Sequence, residues 1–143
     1  ARRGRPFEVD VSGETLACTI GSSVDGRVNL EKAMRASDRL GGHLVSGHVD
    51  GVGTVMRVEP AGGNRVMALK APTALARYIA RKGSITIDGV SLTVNTVRAA
   101  EFTVNLIPHT LAATNLGELR AGDRVNLEVD LLARYLERLR IAK

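Results

Sequence analysis

Apolar and polar residues alternate with a period of two along much of the chain. Val66 and Ala68; Ile85 and Ile87; Val90, Leu92 and Val94; Phe102, Val104 and Leu106; and Val125, Leu127 and Val129 each set one apolar face on an extended segment, the pattern of half-buried strands. The same rhythm in Phe7, Val9 and Val11, and in Val28 and Leu30, predicts strands there too. Asp88-Gly89, between two such runs, predicts a tight turn or a bulge. Two segments break the rhythm. Pro72 to Lys82 begins on a proline suited to a first helical turn, carries Leu75, Tyr78 and Ile79 on one face and stops at Gly83, which predicts a short helix. Leu131 to Ala142 lays Leu132, Tyr135, Leu136 and Leu139 on one stripe behind Asp130, a candidate N-cap, and predicts a terminal helix. Many short strands, one inserted helix and one terminal helix together predict a mostly β barrel or sandwich.

Charge and cysteine content narrow the function classes. The net charge of +5 is concentrated at the ends: Arg2, Arg3 and Arg5 at one, Arg134, Arg138, Arg140 and Lys143 at the other. Residues 7 to 130 hold 13 basic and 14 acidic side chains, so no basic block runs through the body. With only Phe7, Tyr78, Phe102 and Tyr135 as aromatics, the chain also lacks a base-stacking platform. We therefore expect no nucleic acid partner. A single cysteine excludes an internal disulfide framework and suits a reducing compartment, so the expected location is cytoplasmic. No apolar run approaches the length of a membrane helix.

The stretch GGHLVSGHVDGVG (41–53) concentrates two of the three histidines beside five glycines. His43 and His48 would point to opposite faces of a strand, or sit about 140° apart on a helix, so they make no ready metal pair. His109 and Cys18 complete no metal-ligand spacing, and neither a P-loop nor G-x-G-x-x-G is present. We expect neither a metal nor a cofactor. What remains is a glycine-rich lead into a strand, where the backbone turns sharply or comes close to another group.

FEVDVSGETLACTIGSSVDGRVNLE (7–31) matches FTVNLIPHTLAATNLGELRAGDRVNLE (102–128) with a two-residue gap. Thr15-Leu16-Ala17 pairs with Thr110-Leu111-Ala112, Thr19 with Thr114, and RVNLE recurs in full. An offset of 95 residues is too long for a solenoid unit and reads as a duplicated domain. If the second copy starts near Leu44, the first should start about 50 residues before Ala1. We therefore expect 1–31 to be the tail of one barrel, 32–43 a linker, 44–130 a complete second barrel, and 131–143 an oligomerisation helix.

GGHLVSGHVDGVGTV (41–55), KGSITIDGVSLTVN (82–95) and NLIPHTLAATNLGELRAGDRVNLEVD (105–130), in this order on a duplicated frame, resemble riboflavin synthase across essentially the whole chain. The resemblance implies a duplicated six-stranded antiparallel Greek-key β-barrel, the first copy incomplete, with a C-terminal α-helix. It also implies a cytoplasmic homotrimer. Its reaction would transfer four carbons between two molecules of 6,7-dimethyl-8-ribityllumazine, yielding riboflavin and a pyrimidinedione. The active site would form where the N-terminal barrel of one subunit meets the C-terminal barrel of the next. Orientation of two substrates in such a site can contribute about 7–11 kcal/mol.

Residue by residue, the resemblance implies catalytic roles for His48, Ser91, Lys82 and Asp130. It implies substrate contacts from Gly47, His48, Val49, Lys82, Ser91, Leu92 and Thr93, and from Asn105, Leu106, Ile107, Pro108, His109 and Thr110. In the partial copy, Asp10, Val11, Ser12, Gly13, Glu14 and Thr15 match the equivalent run. His48 would assist proton transfer or orient the ribityl chain, while His43 is expected to be structural.

The residues also allow plainer readings. Ser91 and Thr93 alternate with Leu92 and Val94 and could form the solvated face of a strand. Asp130 could simply cap the last helix, and Lys82 could favour the end of the preceding one. A second function class is a non-catalytic lumazine- or flavin-binding protein of the same fold. A flavin reductase barrel is more distant, because nothing after Asp130 could form a dinucleotide-binding domain.

Overall fold

A computed structural model describes residues 8–21 and 27–141. Six strands form a closed barrel: β1 (Gly51–Ala61), β2 (Asn64–Lys70), β3 (Ser84–Ile87), β4 (Val90–Arg98), β5 (Glu101–Leu106) and β6 (Arg124–Val129). Their order around the barrel is β1-β2-β5-β4-β3-β6, and every neighbouring pair is antiparallel. Strands β3, β4 and β5 form a meander, and β6 then returns to lie beside β3, which is a Greek-key connection.

The alternation read from the sequence becomes the inside and outside of this barrel in β3 to β6, whereas in β2 the core face is Met67 and Leu69 rather than the expected Val66 and Ala68, because apolar residues there run through both faces. Val55 of β1, Met67 and Leu69 of β2, Ile85 and Ile87 of β3, and Val94 of β4 are buried together with Phe102, Val104 and Leu106 of β5 and Val125 and Leu127 of β6. Closure leaves no edge strand, so each ladder has partners on both sides. Asp88 and Gly89 both have positive φ, 46° and 81°, and close the β3–β4 hairpin between paired Ile87 and Val90. That is the turn expected from the dipeptide, since Asp-Gly accepts two successive left-handed residues.

Three α-helices, α1 (Gly13–Cys18), α2 (Pro108–Ala113) and α3 (Leu131–Ile141), and two 3-10 turns, Thr73–Tyr78 and Asn115–Gly117, complete the described structure. The terminal helix starts as expected, with Asp130 Oδ1 accepting the Leu132 N–H at 3.0 Å. Its stripe does not pack on the barrel, because Leu132, Tyr135, Leu136 and Leu139 are all exposed. Polar contacts tether the helix instead: Arg134 pairs with Asp50, and Glu137 pairs with Arg77 and accepts the Tyr78 hydroxyl. The hydrogen bond to Glu137 raises the Tyr78 pKa, and the same two partners lower that of Glu137.

Two sequence expectations need correction. The helix over Pro72 to Lys82 is a shorter 3-10 turn, Thr73–Tyr78, with Pro72 before it and buried Ile79 closing it. The strands expected at Val9 to Val11 and at Val28 to Leu30 are absent, and these four residues are exposed; Phe7 lies outside the described residues. Alternation supplies an apolar face but no ladder, and among the described residues neither segment pairs with a strand.

The segments matched by the repeat nevertheless share local structure. Helices α1 and α2 start 95 positions apart, and each is closed by a threonine. Thr19 returns its N–H (3.2 Å) and hydroxyl (2.7 Å) to the Thr15 carbonyl, and Thr114 does the same to Thr110 at the same distances. The next N–H crosses over: Ile20 donates to Asn126 Oδ1 at 2.8 Å, and Asn115 donates to Asn29 Oδ1 at 2.9 Å.

Candidate functional site

The outward face of β4 presents Ser91, Thr93 and Asn95. After Val94, which opposes Val104, the register with β5 slips, and Asn95 is the unmatched residue of a bulge before Thr96 opposes Thr103. Bulges re-aim side chains at strand ends. A cavity of about 350 Å³ opens here, walled by Ser91, Leu92, Thr93 and Asn95 of β4, Asn105 of β5, and Ile107 and Thr110 at the start of α2. That volume lies in the range of small-molecule pockets. Its wall combines apolar Leu92 and Ile107 with three hydroxyls and two carboxamides, each carboxamide able to donate and accept. Such a surface suits a flat heterocycle bearing a polyol.

A second, larger cleft of about 1170 Å³ lies between residues 27–47 and the β3–β4 turn, with His109 and Thr114 on its far side. Ser91 is shared by both spaces. Its hydroxyl lies 2.7 Å from His43 Nδ1, while His43 Nε2 reaches the Thr86 hydroxyl at 3.1 Å. Thr86 and Ser91 face each other across the β3–β4 ladder, so the imidazole clips a cross-strand pair. Gly42 makes this approach possible, because a Cβ there would stand 2.5 Å from Ser91 Oγ.

The loop carrying the other histidine is held elsewhere. Glu128 of β6, 5% exposed, accepts the Ser46 N–H and hydroxyl, each at 2.8 Å, and the Gly47 N–H at 3.1 Å. His48 Nδ1 then lies 2.8 Å from Ser46 Oγ, leaving the residue exposed. His48 therefore lines neither space, contrary to expectation, and His43, expected to be only structural, is the histidine in contact with Ser91. Asp88 is half-buried in the β3–β4 turn. Burial raises its carboxyl above the ordinary 3.8, against opposing hydrogen bonds from the Asn126 N–H and Asn115.

Of the residues expected from the resemblance to contact substrate, Ser91, Leu92, Thr93, Asn105, Ile107 and Thr110 line one space. Gly47 and His109 line the larger cleft, while Val49 and Pro108 line neither space. Leu106 is fully buried in the barrel core, so its side chain is not available to a ligand. Lys82 is exposed, with a left-handed φ of 66°, and lines neither space; its N–H donates to the Val94 carbonyl. Asp130 caps α3. Asp10, Val11, Ser12, Gly13, Glu14 and Thr15 are all exposed and line neither space, with Ser12 capping α1 through the Thr15 N–H. Sequence reasoning missed Asn95, Thr86 and Glu128. The recurrence of RVNLE was a usable signal for Glu128, as a carboxylate set between apolar Leu127 and Val129.

Comparison with known proteins decides the family. The family model described as lumazine binding domain matches residues 46–130, which span the whole barrel. The chain belongs to the lumazine-binding domain family. It is 50% identical to riboflavin synthase of Brucella abortus (strain 2308) over 94% of this chain and 68% of that protein. It is 45% identical to riboflavin synthase of Photobacterium phosphoreum over 93% of this chain and 62% of that protein. The chain thus spans about two thirds of the length of these curated relatives. Among solved structures, LumP complexed with riboflavin superposes with a TM-score of 0.74 at 25% identity, covering 81% of this chain and 64% of LumP. LumP complexed with 6,7-dimethyl-8-(1'-D-ribityl) lumazine superposes at 0.72, with 24% identity over 85% of this chain and 71% of LumP. Among the described residues, no group of three or more His, Cys, Asp and Glu is placed to hold a metal ion. No helix among them is long and apolar enough to cross a membrane.

Proposed function

We propose that this lumazine-binding chain serves as a riboflavin synthase, converting two molecules of 6,7-dimethyl-8-ribityllumazine into riboflavin and 5-amino-6-(D-ribitylamino)uracil by four-carbon transfer. The observation that carries this reading is the β4–β5 cavity. Six of its seven wall residues are positions assigned to substrate binding from the sequence, and its hydroxyls and carboxamides suit a ribityl chain and a heterocycle edge. Ser91, Thr93, Asn105 and Thr110 bind one lumazine there. A second lumazine is supplied by another barrel, so that two identical substrates lie face to face and lose their freedom of relative motion before reaction. His48, Lys82 and Asp130 lie outside the cavity, and their part in proton transfer is that of groups facing a neighbouring subunit.

This arrangement divides the chain into the tail of one barrel (1–31), a linker (32–43), the barrel (44–130) and a helix (131–143). The matched helices α1 and α2, with their crossed hydrogen bonds to Asn126 and Asn29, support the duplication. The protein is taken to work as a cytoplasmic homotrimer, and the exposed apolar stripe of α3 supports self-association. Titration of the chain with 6,7-dimethyl-8-ribityllumazine, read by ligand fluorescence and paired with an absorbance assay for riboflavin, tests the proposal. Saturable binding with riboflavin formation supports it. Saturable binding without product favours the non-catalytic binding module. Absence of binding overturns both.

A further inference from the structure

The imidazole of His43 spans two hydroxyls with different surroundings. Thr86 is 2% exposed, whereas Ser91 stands in the wall shared by the cavity and the larger cleft. The hydrogen inventory of Ser91 is small: one O–H to donate and two lone pairs to accept. The His43 backbone N–H already points at Ser91 Oγ from 3.4 Å, and Nδ1 stands at 2.7 Å.

Two arrangements of protons satisfy these contacts. With the proton on Nε2, the ring donates to Thr86 and Nδ1 accepts from Ser91, which then offers only lone pairs to a molecule in the cavity. With the proton on Nδ1, the ring donates to Ser91, and the serine O–H is released to donate into the cavity. The ring tautomer and the donor sense of Ser91 are thus one variable.

We infer that His43 is a positioning residue for the β4–β5 cavity: its imidazole, held between Thr86 and Ser91, decides whether the Ser91 hydroxyl donates to or accepts from the bound molecule. The inference rests on the proposed lumazine site and deepens it, because it adds His43, from the same glycine-rich stretch, to the residues that act on the ligand. Gly42 belongs to the same device, since its missing side chain lets the loop carry His43 onto the serine. An imidazole serving only to tie the linker to the barrel would stabilise the fold without acting on ligand through Ser91, and the two roles separate experimentally.

The test is a double-mutant cycle on lumazine affinity, measured by fluorescence titration, with thermal unfolding recorded for every variant. Loss of one ligand hydrogen bond predicts that Ser91→Ala weakens binding about tenfold. His43→Ala, which leaves the hydroxyl but not its orientation, should weaken it by no more than Ser91→Ala does, and the double variant should be no weaker than Ser91→Ala. His43→Asn, which keeps an amide near the place of Nδ1, should recover most of the affinity. Thr86→Val supplies a route that preserves the histidine: it should weaken binding in the wild-type background and leave Ser91→Ala unchanged. Losses that multiply toward about a hundredfold overturn the inference while leaving the lumazine site standing. So does wild-type affinity in His43→Ala, or a His43→Asn variant no better than His43→Ala. If the unsubstituted chain binds no lumazine, the functional reading fails and the inference falls with it.

Discussion

Glu128 offers a sharp test of how the barrel holds the loop before β1. Its carboxylate is buried and accepts three hydrogen bonds, two from Ser46 and one from Gly47, across 81 and 82 positions of sequence. A hydrogen bond to a charged group contributes about 1.5–3 kcal/mol net, so the three set an upper bound well above what deletion should cost. Two effects reduce it. Ser46 and Gly47 are exposed, so their freed N–H groups can be rehydrated, and deleting the carboxylate relieves its own desolvation. We expect Glu128→Ala to lose about 2–4 kcal/mol of stability. Glu128→Gln keeps one oxygen for Ser46, at the lower strength of a neutral acceptor, but turns its NH2 toward the Gly47 N–H. Its loss should be about 1–2 kcal/mol. Urea unfolding followed by circular dichroism measures both, with the denaturant slope as the check that only native-state contacts changed. A Glu128→Ala variant within about 0.5 kcal/mol of the unsubstituted chain, or a Glu128→Gln variant weaker than Glu128→Ala, refutes the anchoring role.

Asp88 should set a pH dependence of opposite sign to that of most carboxylates. Burial raises its folded pKa above 3.8, so its contribution to stability is fullest below that pH and is lost as pH rises through the folded value. The melting temperature of Asp88→Asn, relative to the unsubstituted chain, should therefore improve from about pH 4 to about pH 7, and a relative decline over that range would contradict the assignment. Gly117→Ala tests a close approach: a Cβ there would collide with the Leu111 carbonyl oxygen, which the backbone of α2 cannot easily move. We expect a loss of about 2–3 kcal/mol by the same urea assay, and no measurable change would show that the segment is looser than described.

The parts of this fold legible in the sequence are those set by neighbours in sequence. Alternation located β2 to β6, since side chains i and i+2 share a face whatever the strand pairs with, but in β2 it named Val66 and Ala68 as the core face where Met67 and Leu69 hold it. Asp88-Gly89 located the hairpin turn because its requirement is a backbone dihedral of two residues. Asp130 was recognisable as a cap for the same reason. The family resemblance named Ser91, Leu92, Thr93, Asn105, Ile107 and Thr110 among its expected substrate contacts, and these six line one space.

What only the tertiary structure decided are relations between distant residues. Val9, Val11, Val28 and Leu30 alternate as well as Val104 and Leu106 do, yet the first four are exposed and the last two buried. An amphipathic extended segment becomes a strand only where another backbone completes its ladder, and that information lies outside the segment. The two histidines of GGHLVSGHVDGVG illustrate the same limit. Their spacing shows that they face different ways, but which one reaches Ser91 depends on Glu128 holding Ser46 and Gly47 from 81 and 82 positions away. Local stereochemistry was thus readable from the chain alone, whereas closure of the barrel brought together the carboxylate, the loop and the hydroxyl pair that place His43 against the cavity wall.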